Sequence, residues 1–374
     1  MSRRTLMAGA IGAAVAGPLL AGCTPQAETP SPAPAGSGAP EPSPTPTAEP
    51  TPTGDPRPRW PLTGALLDDP AQAERAVVAV KVPDSRAEHP QLGINDADIV
   101  FVELDGYPAT LYRSGTRLVP VFHSRYAADV GPVRSVRPVD VALLSPVDAV
   151  IGNTGMAGWT RRYVKKNAQG LDYSHDYMHT KGTGAYSIDS SRVYTLKGQK
   201  YYDRAVLCHP EKLAGLSKTT TTPQQPYFPF ATGDQVPSTE TAGKPATTIA
   251  VPWQKGDSYD MGYSFDAKKG VYRRSMPWGK HVLKDGSRVV TDNLLVILAK
   301  QHFAHHEPFH DVSGKKGTFY YAHGGQYVTG SWQKDADVDS LFQFTLEDGS
   351  PLIMATGRTF VELPHTTAKL TIKA

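Results

Sequence analysis

Cysteine is nearly absent from this chain, which has only Cys23 and Cys208 among 374 residues. Two thiols cannot form a disulfide-dense scaffold or a four-cysteine zinc site. The excess of basic over acidic side chains is also small, since 39 basic groups against 36 acidic ones leave a net charge of +3. Nucleic-acid-binding domains usually carry a concentrated basic stripe, so we expect no nucleic-acid partner. Beyond the N-terminus no apolar run approaches the roughly 18 residues of a spanning helix, which excludes a polytopic membrane protein.

Proline, in contrast, is abundant and unevenly placed. Twelve of the 33 prolines lie between residues 25 and 58, in a segment otherwise made mainly of Thr, Ser, Ala, Gly and Glu. Such a segment cannot bury enough apolar surface to offset its ordering entropy. We therefore predict that residues 23–58 form a disordered stalk, with a reach of about 33 Å as a flexible coil and about 110 Å in a polyproline conformation.

Residues 1–22 have the pattern of a signal peptide. Arg3 and Arg4 precede an apolar stretch, residues 7–20, that is too short for a durable membrane anchor. The arginine pair fits both an ordinary Sec signal and a twin-arginine signal, so the sequence leaves the export route open.

The signal ends in Leu20-Ala21-Gly22-Cys23, which resembles the lipobox of bacterial lipoproteins. The resemblance implies cleavage before Cys23 and a diacylglyceryl group on its thiol, with palmitate as a typical acyl chain. It also implies that the protein is anchored by lipid at the outer face of the cell membrane. The second thiol, Cys208, follows Ala205-Val206-Leu207, a pattern that favours a buried strand and an unreactive cysteine.

The remaining residues predict an α+β fold with two domains, residues 59–245 and 246–374. We expect a layered sandwich of mixed sheets with helices on one face. The C-terminal part should be mostly antiparallel, because its short strands are separated by Gly and Asp-Gly turn signals. Apolar runs predict buried strands and amphipathic runs predict helices, with strands at 76–82, 98–104 and 118–123 and helices at 139–144 and 159–167.

Several motifs follow one another along the chain, among them Pro90-Gln91-Leu92-Gly93-Ile94-Asn95-Asp96, Gly131-Pro132-Val133-Arg134-Ser135-Val136-Arg137-Pro138, Gly330-Ser331-Trp332-Gln333-Lys334 and Gly357-Arg358-Thr359-Phe360-Val361. In sequence and in order they resemble motifs of the YerB-like lipoproteins. The match spans residues 60–364 and implies a three-layer α+β sandwich, usually lipid-anchored on Gram-positive cells, with no settled activity. This chain departs from the family at Arg204-Ala205-Val206-Leu207-Cys208, where members generally have a Pro-His-Asn segment.

The segment around Arg134, Ser135 and Arg137 is the main candidate binding site. Two guanidinium groups and free backbone N–H groups ahead of a helix could bind one anion. The alternative is internal pairing of the arginines with Glu103, Asp98 or Asp140. Glu103 ends an otherwise apolar strand, where a carboxylate needs a partner, and we expect that partner to be an arginine.

Two further candidates, His123 and Ser124, lie where a predicted strand ends and a loop begins, a common place for functional side chains. A third segment, residues 302–311, contains four histidines and Asp311. Pro308 would break a helix there and no His-Glu-x-x-His spacing is present, so we expect a solvated loop without metal. We expect no cofactor.

These features favour an envelope protein that binds a cell-wall polymer or a cell-wall-synthesis protein. The binding site would be a cleft formed by Arg134, Arg137, Glu103 and His123. The alternative is a hydrolase or transferase acting on cell-wall or sugar substrates, with Glu103 or Asp140 as acid or base. Pure scaffolding, which needs no pocket, is the third interpretation.

Overall fold

A computed structural model describes residue 55 and residues 57–106, 115–168, 170–218, 222–223, 225–253 and 259–374. The predicted signal peptide, the lipobox with Cys23 and nearly all of the predicted stalk lie outside the described residues. Within these ranges no helix is long and apolar enough to cross a membrane.

Short helices and many short strands make up the described chain. The α-helices are α1 (Asp140–Leu144), α2 (Gly158–Asn167), α3 (Pro210–Ala214) and α4 (Ser238–Ala242). Single 3-10 turns occur at Pro70–Ala73, Arg86–Glu88, Ile94–Asp96, Ser145–Val147 and Ser190–Arg192. The first strands are β1 (Val78–Val80), β2 (Val82–Pro83), β3 (Ile99–Leu104), β4 (Thr116–Phe122), β5 (Val150–Gly152), β6 (Tyr186–Ile188), β7 (Tyr194–Leu196), β8 (Gln199–Tyr201) and β9 (Val206–Cys208).

The C-terminal part of the chain is rich in strands. They are β10 (Lys244–Pro245), β11 (Thr248–Pro252), β12 (Asp260–Asp266), β13 (Val271–Met276), β14 (Gly279–Lys280), β15 (Val290–Thr291), β16 (Asn293–Ile297), β17 (Lys300–Ala304), β18 (Glu307–Asp311), β19 (Lys315–His323), β20 (Gln326–Lys334), β21 (Gln343–Leu346), β22 (Thr359–Glu362) and β23 (Thr371–Lys373).

One large mixed sheet runs through both halves of the chain. Its strand order is β10-β20-β19-β16-β22-β3-β4-β1-β5, with β2 beside β4 and β21 beside β20. At its centre β3 pairs in parallel with β22, with Ile99 opposite Thr359, and antiparallel with β4. All six residues of β3 are buried, which explains its nearly continuous apolar sequence.

A second sheet, ordered β14-β13-β12-β11-β23 with β15 beside β13, is antiparallel throughout its named pairs. The predicted α+β class with a mostly antiparallel C-terminal part is therefore confirmed. The predicted helices at 139–144 and 159–167 correspond to α1 and α2. Cys208 is buried in β9, as its apolar neighbours indicated.

The prediction of a loop at 302–311 was wrong. This segment lies in a hairpin in which β17 pairs antiparallel with β18. Residues of β18 alternate between half-buried and buried, with Pro308 and His310 buried. Proline is tolerated because these two strands form their own two-stranded sheet, so Pro308 lies on an edge strand.

A buried ion pair joins the two sheets. Arg274, on β13, donates to Asp84 Oδ2 at 2.8 Å and lies 3.6 Å from Glu362 Oε1 on β22. The three side chains are at most 1% exposed. Burial alone would raise the pKa of Asp84, but Arg274 and His89 hold it well below its usual range. The pair stays charged in the interior because the guanidinium and the carboxylates compensate each other.

We predict that Arg274→Met destabilises the protein by about 3–5 kcal/mol, because two carboxylates then remain buried without their cation. Its neighbour on the same strand, Arg273, provides a matched control, since its side chain is 42% exposed beside Asp266. Arg273→Met should cost at most about 1 kcal/mol. Urea unfolding followed by circular dichroism measures both values, and equal losses in the two variants would contradict the assignment.

Candidate functional site

The loop after β4 is held by a buried carboxylate. Asp98 Oδ2 accepts hydrogen bonds from the backbone N–H groups of His123 and Ser124, at 2.6 and 2.7 Å. Ser124 Oγ donates to the other carboxylate oxygen. Burial raises the pKa of Asp98, and the bonds from Ser124 and His123 oppose that effect. Arg75 Nε donates to the carbonyl of His123 at 2.7 Å, so this loop is tightly positioned.

The His123 ring is a buried part of that loop. Its Nε2 lies 3.0 Å from the carbonyl oxygen of Ala73, so Nε2 carries the proton and donates. Trp60 meets the ring edge-on, with 5.3 Å between ring centroids. Burial lowers the pKa of His123 to about 4. The imidazole is therefore neutral near pH 7 and orients Trp60 and the loop.

Beside this loop the surface contains an open cavity of about 570 Å³. That volume lies within the range of small-molecule binding sites, roughly 300–1,000 Å³. Its wall combines one aromatic ring, hydroxyl and amide groups, two carboxylates and two guanidinium groups, among them Trp60, Gln72, Asp98, Ser124, Arg125 and Arg358. The cavity can therefore donate and accept hydrogen bonds and has no charge excess of either sign.

The two arginines of the cavity share an acceptor. Arg125 Nη2 and Arg358 Nη1 both donate to the carbonyl oxygen of Asn95, at 2.8 and 3.2 Å. Arg358 also pairs with Asp292 at 3.0 Å, and its side chain remains 26% exposed, whereas that of Arg125 is 54% exposed. All three guanidinium nitrogens of Arg358 already donate to Asp292 or Asn95, so the more exposed Arg125 has the freer donors for a ligand.

Gly357 allows the chain to bring Arg358 next to Asp292. Its φ is +132°, and a Cβ there would lie 2.8 Å from Asp292 Cβ. Only glycine combines this backbone conformation with that close approach at low cost. The turn places Arg358 at the start of β22, where its backbone N–H also donates to Asp292 Oδ2 at 2.8 Å.

A second cluster of charges lies in the interior. Lys81 Nζ donates to Glu103 Oε1 and, at 2.6 Å, to Asp140 Oδ1, and all three side chains are fully buried. Burial and the neighbouring Asp140 raise the pKa of Glu103 to about 7, against the effect of Lys81. The expected arginine partner of Glu103 is therefore corrected to a lysine. Both proposed acid or base residues, Glu103 and Asp140, have no access to solvent here.

Arg137 lies at the border of that cluster. It pairs with Asp105 at 2.7 Å and with Glu307 at 3.1 Å, and its backbone N–H donates to Asp140 Oδ2 at 2.7 Å. Arg117 also binds Asp105, at 2.6 Å, and donates to the carbonyl oxygen of Ser135. Arg137 is thus engaged in internal ion pairs, and Ser135 contributes its backbone.

Arg134 belongs to a third cluster. Its guanidinium binds Glu88 and, at 3.1 Å, Asp203, and its side chain is 22% exposed. The six predicted site residues are therefore divided among three sets of partners rather than joined by contacts in one cleft. In an extended segment, residues separated by an odd number of positions point to opposite sides, and Arg134 and Arg137 accordingly bind different acids.

Asp84, His89 and His281 have ligand-type atoms within 4.8 Å of one another, a spacing suited to a metal ion. Both ring nitrogens of His281 are already engaged, because Arg274 donates to Nδ1 at 2.9 Å and Nε2 lies 2.8 Å from Gln91 Oε1. The Arg274 guanidinium also binds the carboxylate of Asp84, at 2.8 Å. The Arg274 guanidinium thus already supplies the positive charge between Asp84 and His281, so these residues do not fit a metal site.

Sequence reasoning found Ser124 but missed Trp60, Arg125 and Arg358 as lining residues. The motif that begins at Gly357 contained a usable signal, because a glycine followed by arginine directly before a strand places a charged side chain at the end of that strand. Nothing local connects that motif with Trp60, almost 300 positions earlier.

The buried His123 predicts a pH dependence of stability. Between its ordinary pKa of 6.5 and the folded value of about 4, the unfolded chain binds the proton and the folded chain does not. The free energy of unfolding should therefore fall as pH decreases through this window, by at most about 1.4 kcal/mol per pH unit from this residue. Urea unfolding at several pH values should show a shallower dependence for His123→Gln than for wild type. His365→Gln, at a half-exposed position whose ring contacts Thr367, is the control and should follow wild type; equal slopes in all three proteins would exclude this effect.

Comparisons with known proteins agree with this architecture. Residues 62–208 match the model described as "Protein of unknown function (DUF3048) N-terminal domain", and residues 249–361 match the corresponding C-terminal domain. The chain is 25% identical over 312 residues to "Putative lipoprotein YerB" of Bacillus subtilis (strain 168), covering 81% of this chain and 85% of that protein. The crystal structure of YerB protein from Bacillus subtilis is similar with a TM-score of 0.64 at 20% identity, covering 84% of this chain and 100% of that one. The relative's name supports a lipoprotein of unknown function. The chain belongs to the DUF3048 family.

Proposed function

We propose that this protein is a lipid-anchored, extracytoplasmic binding protein of the bacterial envelope that holds the glycan part of a cell-wall polymer in the cavity beside Trp60. The single observation that carries this proposal is the composition of the cavity. Two arginines, two carboxylates, two hydroxyls and an amide surround a space of about 570 Å³ next to an indole ring.

A saccharide fits this composition better than a polyanion does. Arg125 and Arg358 are balanced by Asp98 and Asp292, so the cavity offers no net positive charge to concentrate phosphate. Sugar hydroxyl groups both donate and accept, which matches the Arg125 guanidinium, the Gln72 amide and the hydroxyl groups of the cavity wall. The indole of Trp60 adds an apolar wall of the kind that orients a ligand within a polar site.

The N-terminal sequence supports the location. The lipobox-like Leu20-Ala21-Gly22-Cys23 would provide the anchor, and residues 23–58 a stalk that reaches from about 33 Å to about 110 Å. A reach of this length would hold the folded part away from the membrane surface. The relative named as a lipoprotein supports the anchor.

The cavity proposal predicts that Gln72→Ala combined with Arg125→Ala weakens binding of muropeptides from purified peptidoglycan by at least about ten-fold. The reason is that lost hydrogen bonds to a charged group cost about 1.5–3 kcal/mol. Both side chains are exposed or half-exposed, so the fold should tolerate their loss. Isothermal titration calorimetry measures the affinity, and Arg86→Ala, an exposed arginine that does not line this cavity, is the control. Wild-type affinity in the double variant would place the ligand elsewhere.

The anchor predicts a difference between the two cysteines. Cys23→Ala should abolish incorporation of labelled palmitate and cleavage of the signal, because the acceptor thiol is absent. Cys208→Ala is the matched control and should keep both, since Cys208 is buried in β9. Labelling in cells followed by membrane fractionation and mass spectrometry of the N-terminal peptide measures these outcomes. Palmitate in the Cys23→Ala protein would refute lipidation at this residue.

A further inference from the structure

Helix α2 carries a cationic stripe, defined as Arg161, Arg162, Lys165 and Lys166. The buried residues of the helix are Thr160 and Val164, one turn apart on the face toward the core. The four cations occupy the opposite side at spacings of one, three and four residues, and all are exposed. Residues three and four apart are neighbours on a helix surface, so the side chains form one contiguous basic strip.

The stripe differs from the arginines that lie in the interior of this protein. Arg117, Arg134, Arg137 and Arg274 each bind a carboxylate of the folded chain. No ion pair of the described residues includes any member of the stripe, and the helix sequence contains no acid. Like charges at i and i+4, as in Arg161 with Lys165, destabilise a helix. An external anion would relieve that repulsion.

An aromatic row lies beside the stripe. The rings of Trp159 and Tyr163 stack with centroids 5.5 Å apart and planes inclined by 26°. His305, at the end of the hairpin of β17 and β18, packs on Trp159 at 5.2 Å, and Phe309 meets Tyr163 edge-on at 5.3 Å. The hairpin thus fixes the helix, and Trp159 and Tyr163 remain half-buried at the edge of the basic strip.

We propose that α2 docks the folded part of this protein onto an anionic phospholipid surface through the cationic stripe, with Trp159 and Tyr163 at the lipid interface. Basic residues next to aromatic ones on one helix face are typical of helices that lie on membranes. Lys and Arg near such a surface are attracted by its negative potential. The aromatic row favours a lipid surface over a soluble polyanion, which offers no apolar layer for an indole ring.

This contact is additional to the cavity and independent of it. It uses the proposed lipid anchor in one respect, because a flexible stalk of about 33 Å keeps the helix near the membrane and raises its effective concentration there. The test therefore omits the lipid, so that failure of docking and failure of lipidation remain distinguishable.

The test uses the mature chain, residues 23–374 with Cys23→Ser, so that neither the apolar signal segment nor a lipid contributes to vesicle binding. Its binding is measured by co-sedimentation with vesicles of phosphatidylcholine alone and of phosphatidylcholine with one third phosphatidylglycerol. The variant replaces all four residues of the stripe with glutamine, which retains good helix propensity. The matched control removes the same charge elsewhere, with Lys268→Gln, Lys269→Gln, Lys315→Gln and Lys316→Gln at exposed positions.

We expect the parent chain and the control to bind the anionic vesicles at least about ten-fold more tightly than the stripe variant, and added salt to weaken their binding. Unchanged thermal unfolding of the stripe variant verifies its fold. Equal binding by all three proteins would overturn the proposal. So would binding of soluble poly(glycerol phosphate), dependent on the stripe, without preference for the anionic vesicles, because that result identifies a wall polymer as the partner.

Discussion

The contact between Arg274 and the carboxylates of Asp84 and Glu362 is the constraint on which the arrangement of this protein depends. An unpaired charge in the interior is costly, so the three groups must meet in the folded state. They come from β13, from the segment after β2 and from β22, which are separated by many residues. Thr116 Oγ1 also donates to Asp84 Oδ2, and Gln91 Nε2 donates to the other carboxylate oxygen, each at 3.0 Å. The ion pair therefore determines how the antiparallel sheet lies against the central mixed sheet.

The same requirement explains why several arginines of the described residues are structural. Arg134 and Arg137, the strongest sequence candidates for anion binding, each satisfy carboxylates of the chain itself. Of the two arginines of the cavity, Arg125 differs because its side chain is 54% exposed, whereas Arg358 binds Asp292 and is 26% exposed. The stripe on α2 differs again, since its cations have no internal acid among the described residues. Cations that are paired with carboxylates of the chain stabilise the fold, and cations without such a partner remain available to bind another molecule.

Local patterns predicted individual elements well. The helices at α1 and α2, the buried strand β3 and the burial of Cys208 follow from periodicity and apolar neighbours. Charge partners were not predictable in the same way. Lys81 lies in an apolar run and resembles a strand end, yet it is the buried counter-ion of Glu103 and Asp140. The hairpin at residues 300–311 was missed because its four histidines and Pro308 hide the alternating apolar and polar pattern by which a strand is recognised in a sequence.

The amino-acid sequence by itself determined the lipobox resemblance, the proline-rich segment, the α+β class and the family motifs, because these depend on residues close together in the chain. Only the tertiary structure decided which charges neutralise each other and where a cavity remains. Trp60, Ser124 and Arg358 become neighbours only when β22 pairs in parallel with β3 and β3 pairs with β4. That pairing joins distant segments, and the contacts it creates depend on strand order, which no local pattern contains.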